Sequence, residues 1–329
     1  MGKKKLFYQI FIDRLEITYT ASDDIRKRLS EGNEFKYSEG EFWLERGGTS
    51  AARNYKNQFI IWYNDIRTDD EGSYYVPRIL GYLYFESYNT YRQDVYISFD
   101  NSILYDPIML GARFYIEDEM GLKFKQISKL DISVDFNFNI QRRMLRLYKD
   151  IDYDLIVYGK KGDNSCIEHI GFMSFNNPRN RIFANAEMLS SNGASINFKT
   201  YNKKKEIEQT SGKYYIIERF VPTSTMYRIE VSAENHKAVG KTLKSLGMTE
   251  EELYTGLDIE DTLLDVFNNI FFRIIHLSKS RKPISFIEEV LKIKGSDMCS
   301  WKKSQEQALI KKRKYPVWKG KKLHSGAIC

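Results

Sequence analysis

Three short segments of this chain carry the side chains whose type and spacing could do chemistry. In Leu130–Phe136 the alternation is unbroken, so Leu130, Ile132, Val134 and Phe136 fall on one face of a strand and Asp131, Ser133 and Asp135 on the other. Two carboxylates on one face of an otherwise apolar strand are costly unless they are solvated, paired with a cation or bound to a metal. In Met226–Ala233 the polar face holds Arg228, Glu230 and Ser232, and in Ser195–Tyr201 it holds Asn197, Lys199 and Tyr201. Lys203, Lys204 and Lys205 follow at once.

Brought onto one sheet, these faces would form a coherent site. Asp131, Asp135 and Glu230 offer hard oxygen ligands suited to Mg²⁺ or Mn²⁺, which would polarise a phosphate oxygen. Tyr201 would be a nucleophile whose product is a covalent phosphotyrosine. Lys203, Lys204 or Arg228 could hold the non-bridging oxygens and favour the phenolate. Each part also has a plain structural reading: a solvated outer strand face, an exposed Arg228–Glu230 cross-strand pair, and one tyrosine among 23. The four histidines form no HxH pair, and no phosphate loop or serine-hydrolase signature is present. Tyr88, Tyr91 and Phe99 could stack unpaired bases, or serve sheet packing equally well.

The elements that must position these residues read as α+β, with mostly antiparallel sheets and flanking helices. Strands are expected over Phe7–Tyr19, Gln58–Asn64, Ile79–Glu86, Gln93–Phe99, Lys129–Asn137, Tyr153–Tyr158, Ile167–Phe175, Ser195–Asn202, Tyr214–Phe220 and Met226–Ala233. Helices are expected over Ser22–Glu31, Asp106–Gly121 and Gln141–Lys149. After Glu234 the period turns helical: Asn235–Leu246, Thr249–Tyr254, Ile259–Leu277 with Asp258 as cap and His276 on its apolar surface, and Ser285–Lys294. This divides the chain into an N-terminal α+β region (1–120), a catalytic sheet region (121–235), a helical region (236–298) and a basic tail (299–329).

The formal charge of +7 is uneven: from residue 291 onward eleven Lys or Arg face only Asp297 and Glu306, so the first 290 residues are slightly acidic. Lys311, Lys312, Arg313 and Lys314 are the densest run and, with Lys204, the expected DNA contacts. No apolar run is long enough to span a bilayer, and three scattered cysteines argue for a reducing cytoplasm rather than a disulfide framework.

The order Lys129-Leu-Asp-Ile-Ser-Val-Asp135, Thr200-Tyr-Asn-Lys-Lys-Lys-Glu206, Tyr227-Arg-Ile-Glu-Val231 resembles the replication initiation factor family of Gram-positive plasmids. That family includes the rolling-circle initiators of small staphylococcal plasmids, with relatives in conjugative transposons and filamentous phages. The resemblance covers roughly residues 75 to 280. It implies an HUH-like or RRM-like catalytic sheet that lacks the HxH pair. It further implies a tyrosine at Tyr201 that attacks the scissile phosphate and keeps the 5′ end, and a divalent metal held by Asp131 and Glu230, with Asp135. Lys203 and Glu206 match the rest of the tyrosine segment. Origin DNA in double- and single-stranded form, a host helicase and a homodimer are the partners it implies. Lys129 stands where the family has Arg, and Ser232-Ala-Glu-Asn235 departs from its pattern. A conjugal mobilisation relaxase and a non-catalytic DNA-binding regulator are the other readings.

Overall fold

The structure is a computed structural model, and it describes residues 7–32, 34–37, 41–47, 54–69, 72–88, 94–105, 110–150, 152–157, 195–219, 225–280, 282–284 and 299–300. The elements run β1 (Phe7–Thr20), α1 (Asp23–Glu31), β2 (Glu34–Tyr37), β3 (Phe42–Arg46), β4 (Tyr55–Asp69), β5 (Gly72–Ser87), β6 (Val95–Phe99) and α2 (Asn101–Leu104). Next come α3 (Ala112–Met120), β7 (Lys123–Phe136), α4 (Ile140–Lys149), β8 (Tyr153–Val157), β9 (Ile196–Asn202), α5 (Lys203–Glu206), a π-helical turn (Ile207–Ser211) and α6 (Tyr214–Arg219). The chain then forms β10 (Tyr227–Ala233), α7 (His236–Leu246), α8 (Glu250–Thr255), α9 (Glu260–Ile274), β11 (Ile275–Lys279), β12 (Lys282–Pro283) and β13 (Cys299–Ser300).

One sheet of ten strands, in the order β2-β3-β4-β5-β6-β1-β7-β10-β9 with β13 also paired to β1, carries the fold. Every pairing along that path is antiparallel. β1 lies between β6 and β7, so the sheet runs without a break across residue 120. Gly81 is needed where β5 meets β6, because a Cβ there would stand 2.6 Å from the Ser98 carbonyl oxygen. The fold class read from the sequence, α+β with a mostly antiparallel sheet, is the one observed.

The two faces of the sheet differ because alternation sorts them. Ile12, Leu15, Ile17, Ile132, Val134, Ile229 and Val231 are all essentially inaccessible and join one core with Val239, Leu243, Phe267 and Phe271 of α7 and α9. The helices begin where caps allow: Asn235 accepts from the Ala238 amide, and Thr249 with Glu252 makes a full capping box. The opposite face carries Asp131, Asp135, Arg228, Glu230 and Tyr201. A small satellite cluster of Phe11, Tyr105, Ile207, Ile216 and Met226 lies apart from the main core. Among the described residues no helix is long and apolar enough to cross a membrane.

Two local expectations are corrected, and one hairpin was not anticipated. Tyr214–Arg219 is helix, not strand: Gly212, in the left-handed region at φ 64°, ends the π-helical turn, and Ile216 is buried in the satellite cluster. The expected helix to Leu277 stops at Ile274, because Ile275–Lys279 pairs with Tyr153–Val157 and puts His276 on a strand. β2 and β3 form a hairpin the pattern did not reveal. The expected strand Ile167–Phe175, the helix Ser285–Lys294 and the tail lysines lie outside the described residues.

Candidate active site

Strand register assembles the site. Antiparallel pairing of β10 with β7 and β9 sets Tyr201, Arg228 and Asp135 in one row, Lys199, Glu230 and Ser133 in the next, and Asn197, Ser232 and Asp131 in a third. Side chains of facing residues in such rows stand within contact reach. The three sequence segments therefore converge, as their alternation requires.

A β-bulge brings in two further residues. The β1–β7 register slips between Ile12 and Arg14, so Asp13 is the extra residue on β1. Asp13 and Arg14 then both reach the polar face, where alternation alone would have sent one of them to the core. Asp13 Oδ1 accepts from Arg228 Nη1 at 2.7 Å and from the Tyr105 hydroxyl, and its carbonyl accepts from Asn101 Nδ2 at 2.6 Å. Arg14 Nη2 donates to Asp131 Oδ1 at 3.1 Å and to Glu234 Oε2 at 2.6 Å.

Arg228 and Asp135 form a closed pair. Arg228 Nε donates to Asp135 Oδ1 at 2.7 Å and Nη2 to Oδ2 at 2.6 Å, and both side chains are 0% exposed. Burial alone would raise the Asp13 carboxyl, but the Arg228 guanidinium and the Tyr105 hydroxyl hold it well below the usual range. Arg228 serves both carboxylates and is fully buried, so the phosphate contact expected of it would require this cluster to open.

Tyr201 and Glu230 meet. The Tyr201 hydroxyl donates to Glu230 Oε2 at 3.2 Å, and Lys199 Nζ donates to Glu230 Oε1 at 2.5 Å. Lys203 Nζ lies 5.6 Å from the centre of the Tyr201 ring and pairs with Glu206 at 2.8 Å. The tyrosine is 6% exposed. Burial pushes its phenol well above the ordinary value, with Arg228 opposing and Glu230 adding, so the expected lowering by nearby cations is reversed. Burial, helped by Arg228, lowers the Lys203 ammonium, whereas Glu230 overcomes burial and raises that of Lys199. The Asp131 carboxyl is pushed up to about 7 by burial, with Arg14 opposing and Glu230 adding.

The expected Mg²⁺ or Mn²⁺ does not fit this donor set as it stands. Each carboxylate already faces a side-chain cation: Asp135 faces Arg228, Asp131 faces Arg14, and Glu230 faces Lys199. Among the described residues no group of three His, Cys, Asp or Glu is arranged to hold an ion. Drawing Asp135 away from Arg228 would leave a fully buried carboxylate without its cation.

Of the expected DNA contacts, Lys204 is half-buried on α5, with Nζ 3.8 Å from Glu208, while Lys311, Lys312, Arg313 and Lys314 lie outside the described residues. Of the expected stacking residues Tyr88 is exposed, Phe99 is buried and Tyr91 is not described. Tyr55, Tyr84 and Tyr96 instead form a group of rings, with centroids 5.4 to 6.2 Å apart. Tyr55 and Tyr96 line a cavity of about 740 Å³ together with Lys125, Lys129, Glu234 and Lys237. Glu234 links that cavity to Arg14 and thus to Asp131.

No protein-family model and no curated protein matches the chain. Among solved structures the chain is similar to a rolling circle replication initiator protein from Geobacillus stearothermophilus, at 13% identity over 84% of this chain and 89% of that one. The TM-score is 0.38, a likeness too distant to bear on function.

Proposed function

We propose that this protein starts rolling-circle replication of a plasmid or mobile element by nicking one DNA strand through Tyr201. The observation that carries the reading is the hydrogen bond from the Tyr201 hydroxyl to Glu230, on a polar face assembled from the three motifs that resemble the replication initiation factors. A phenol with a raised pKa stays protonated at neutral pH, so it needs a base as it attacks, and Glu230 is already its hydrogen-bond acceptor.

In this reading the Tyr201 oxygen bonds to phosphorus as its proton passes to Glu230. The bond from phosphorus to the 3′ oxygen breaks, that oxygen takes a proton from water to leave as a hydroxyl, and Glu230 returns its proton to the resulting hydroxide. The 5′ phosphate stays on the tyrosine. Protons balance, and no co-reactant is consumed. Lys203 exchanges Glu206 for the incoming phosphate as the strand reaches the Tyr201 ring beneath it. The Tyr55 and Tyr96 rings and Lys125, Lys129 and Lys237 supply stacking surface and charge for unpaired bases beside the site.

The test is the conversion of the supercoiled element that encodes this protein into open circles. The native protein should nick and remain bound through a denaturant-resistant DNA link, and Tyr201→Phe should do neither. Undiminished nicking by Tyr201→Phe would remove the tyrosine from the chemistry. A mobilisation relaxase would give the same link on a transfer origin, so substrates carrying each origin separate the two.

A further inference from the structure

Building on the nicking reading, we propose that Lys199 is a built-in cation of the site, doing for the scissile phosphate what a divalent metal bound to Glu230 would otherwise do. Lys199 and Tyr201 lie two residues apart on the same face of β9, and Glu230 of β10 receives both: Lys199 Nζ on one oxygen at 2.5 Å, Tyr201 on the other at 3.2 Å. Glu230 itself is 2% exposed, but the Lys199 side chain is 25% exposed, so a phosphate can approach it from solvent. Asp131 and Asp13 lie within electrostatic reach of the same ammonium. Those two carboxylates are held by Arg14 and Arg228, so Glu230 is the carboxylate that contacts Lys199.

The contrast with Arg228 supports the assignment. A guanidinium held by two carboxylates and fully buried turns no donor toward solvent. An ammonium held by one carboxylate keeps two of its three N–H donors for others. During attack those donors would meet the non-bridging oxygens, where charge develops, while the proton from Tyr201 goes to Glu230.

Two measurements test the role. In the first, nicking is followed in EDTA. The native protein should keep cutting, Lys199→Met should lose activity by about 100-fold, and Lys199→Arg should retain more than Lys199→Met. Added Mn²⁺ should restore part of the activity of Lys199→Ala, since the ion can then take the empty place on Glu230. In the second, Mn²⁺ binding is titrated by electron paramagnetic resonance, with no cutting required. The native protein should show no site at Glu230, Lys199→Ala should gain one, and Lys199→Ala with Glu230→Gln should lose it again.

Loss of native nicking in EDTA, or a native Mn²⁺ site that Glu230→Gln abolishes, would overturn the proposal. A protein that cuts no DNA under any condition sinks the nicking reading instead, while the Mn²⁺ titration still decides whether Lys199 occupies a metal's place. Thermal melts of each variant identify any that fail to fold, and Lys199→Arg then carries the comparison.

Discussion

The two ends of one polar sheet face use the same residue types to opposite ends. At the Arg228 end, Asp135 and Asp13 close on a single guanidinium, both partners of the main pair are sealed from solvent, and Tyr105 and Asn101 complete the cluster. At the Lys199 end, Glu230 shares one carboxylate between a partly exposed lysine and the phenol proposed as the nucleophile. The difference lies in the cation. A planar fork satisfies both oxygens of a carboxylate and leaves nothing over, whereas a lysine contacts one oxygen and leaves the other available. The first arrangement is architecture, and the proposed chemistry falls to the second.

Substitutions can break that comparison, and the largest effect belongs to the closed end. Arg228→Met should cost about 3–5 kcal/mol in urea denaturation, because it strands the buried Asp135 and the partly exposed Asp13 without their cation. A loss under about 1 kcal/mol would show that the cluster is not structural.

Asp131, in the row beyond Glu230, sharpens the comparison. Its carboxyl titrates near pH 7 in the fold against an ordinary value of 3.8, so the folded state holds the proton more tightly than the unfolded chain. The stability this provides is complete below about pH 4 and disappears as pH rises through 7. Asp131→Asn, which mimics the protonated form, should therefore flatten that decline. Its melting temperature should gain on that of the native protein between pH 5 and pH 8. An equal offset at both pH values would place the Asp131 titration outside this range.

The smallest effect is expected from Lys204→Ala. Its pair with Glu208 is long and half-exposed, so thermal stability should move by no more than about 0.5 kcal/mol. Any fall in DNA affinity for this variant would then report a phosphate contact rather than altered folding.

Much of this was legible from alternation. The polar faces of Asp131–Asp135, Lys199–Tyr201 and Arg228–Glu230 were readable because a period of two needs no knowledge of neighbours, and the strand register joins them. Asp13 was not legible. It enters the face through a bulge, and a one-residue slip in pairing leaves no mark on the pattern of hydrophobic residues. Nor could spacing say which carboxylate each cation would choose. Arg228 and Glu230 were candidates for pairing with each other, yet Arg228 took Asp135 on the neighbouring strand and Glu230 took Lys199. The helix at Tyr214–Arg219 was hidden by its Tyr-Tyr-Ile-Ile sequence, whose strand preference is overridden by burial of Ile216 beside Phe11 and Tyr105.

Mapping the covalent link tests the central claim most directly. After reaction with a labelled single strand spanning the nick, protease digestion and mass spectrometry should find the 5′ phosphate on Tyr201 alone among the 23 tyrosines. A phosphate on any other tyrosine, or a cut strand with no attached peptide, would contradict the account.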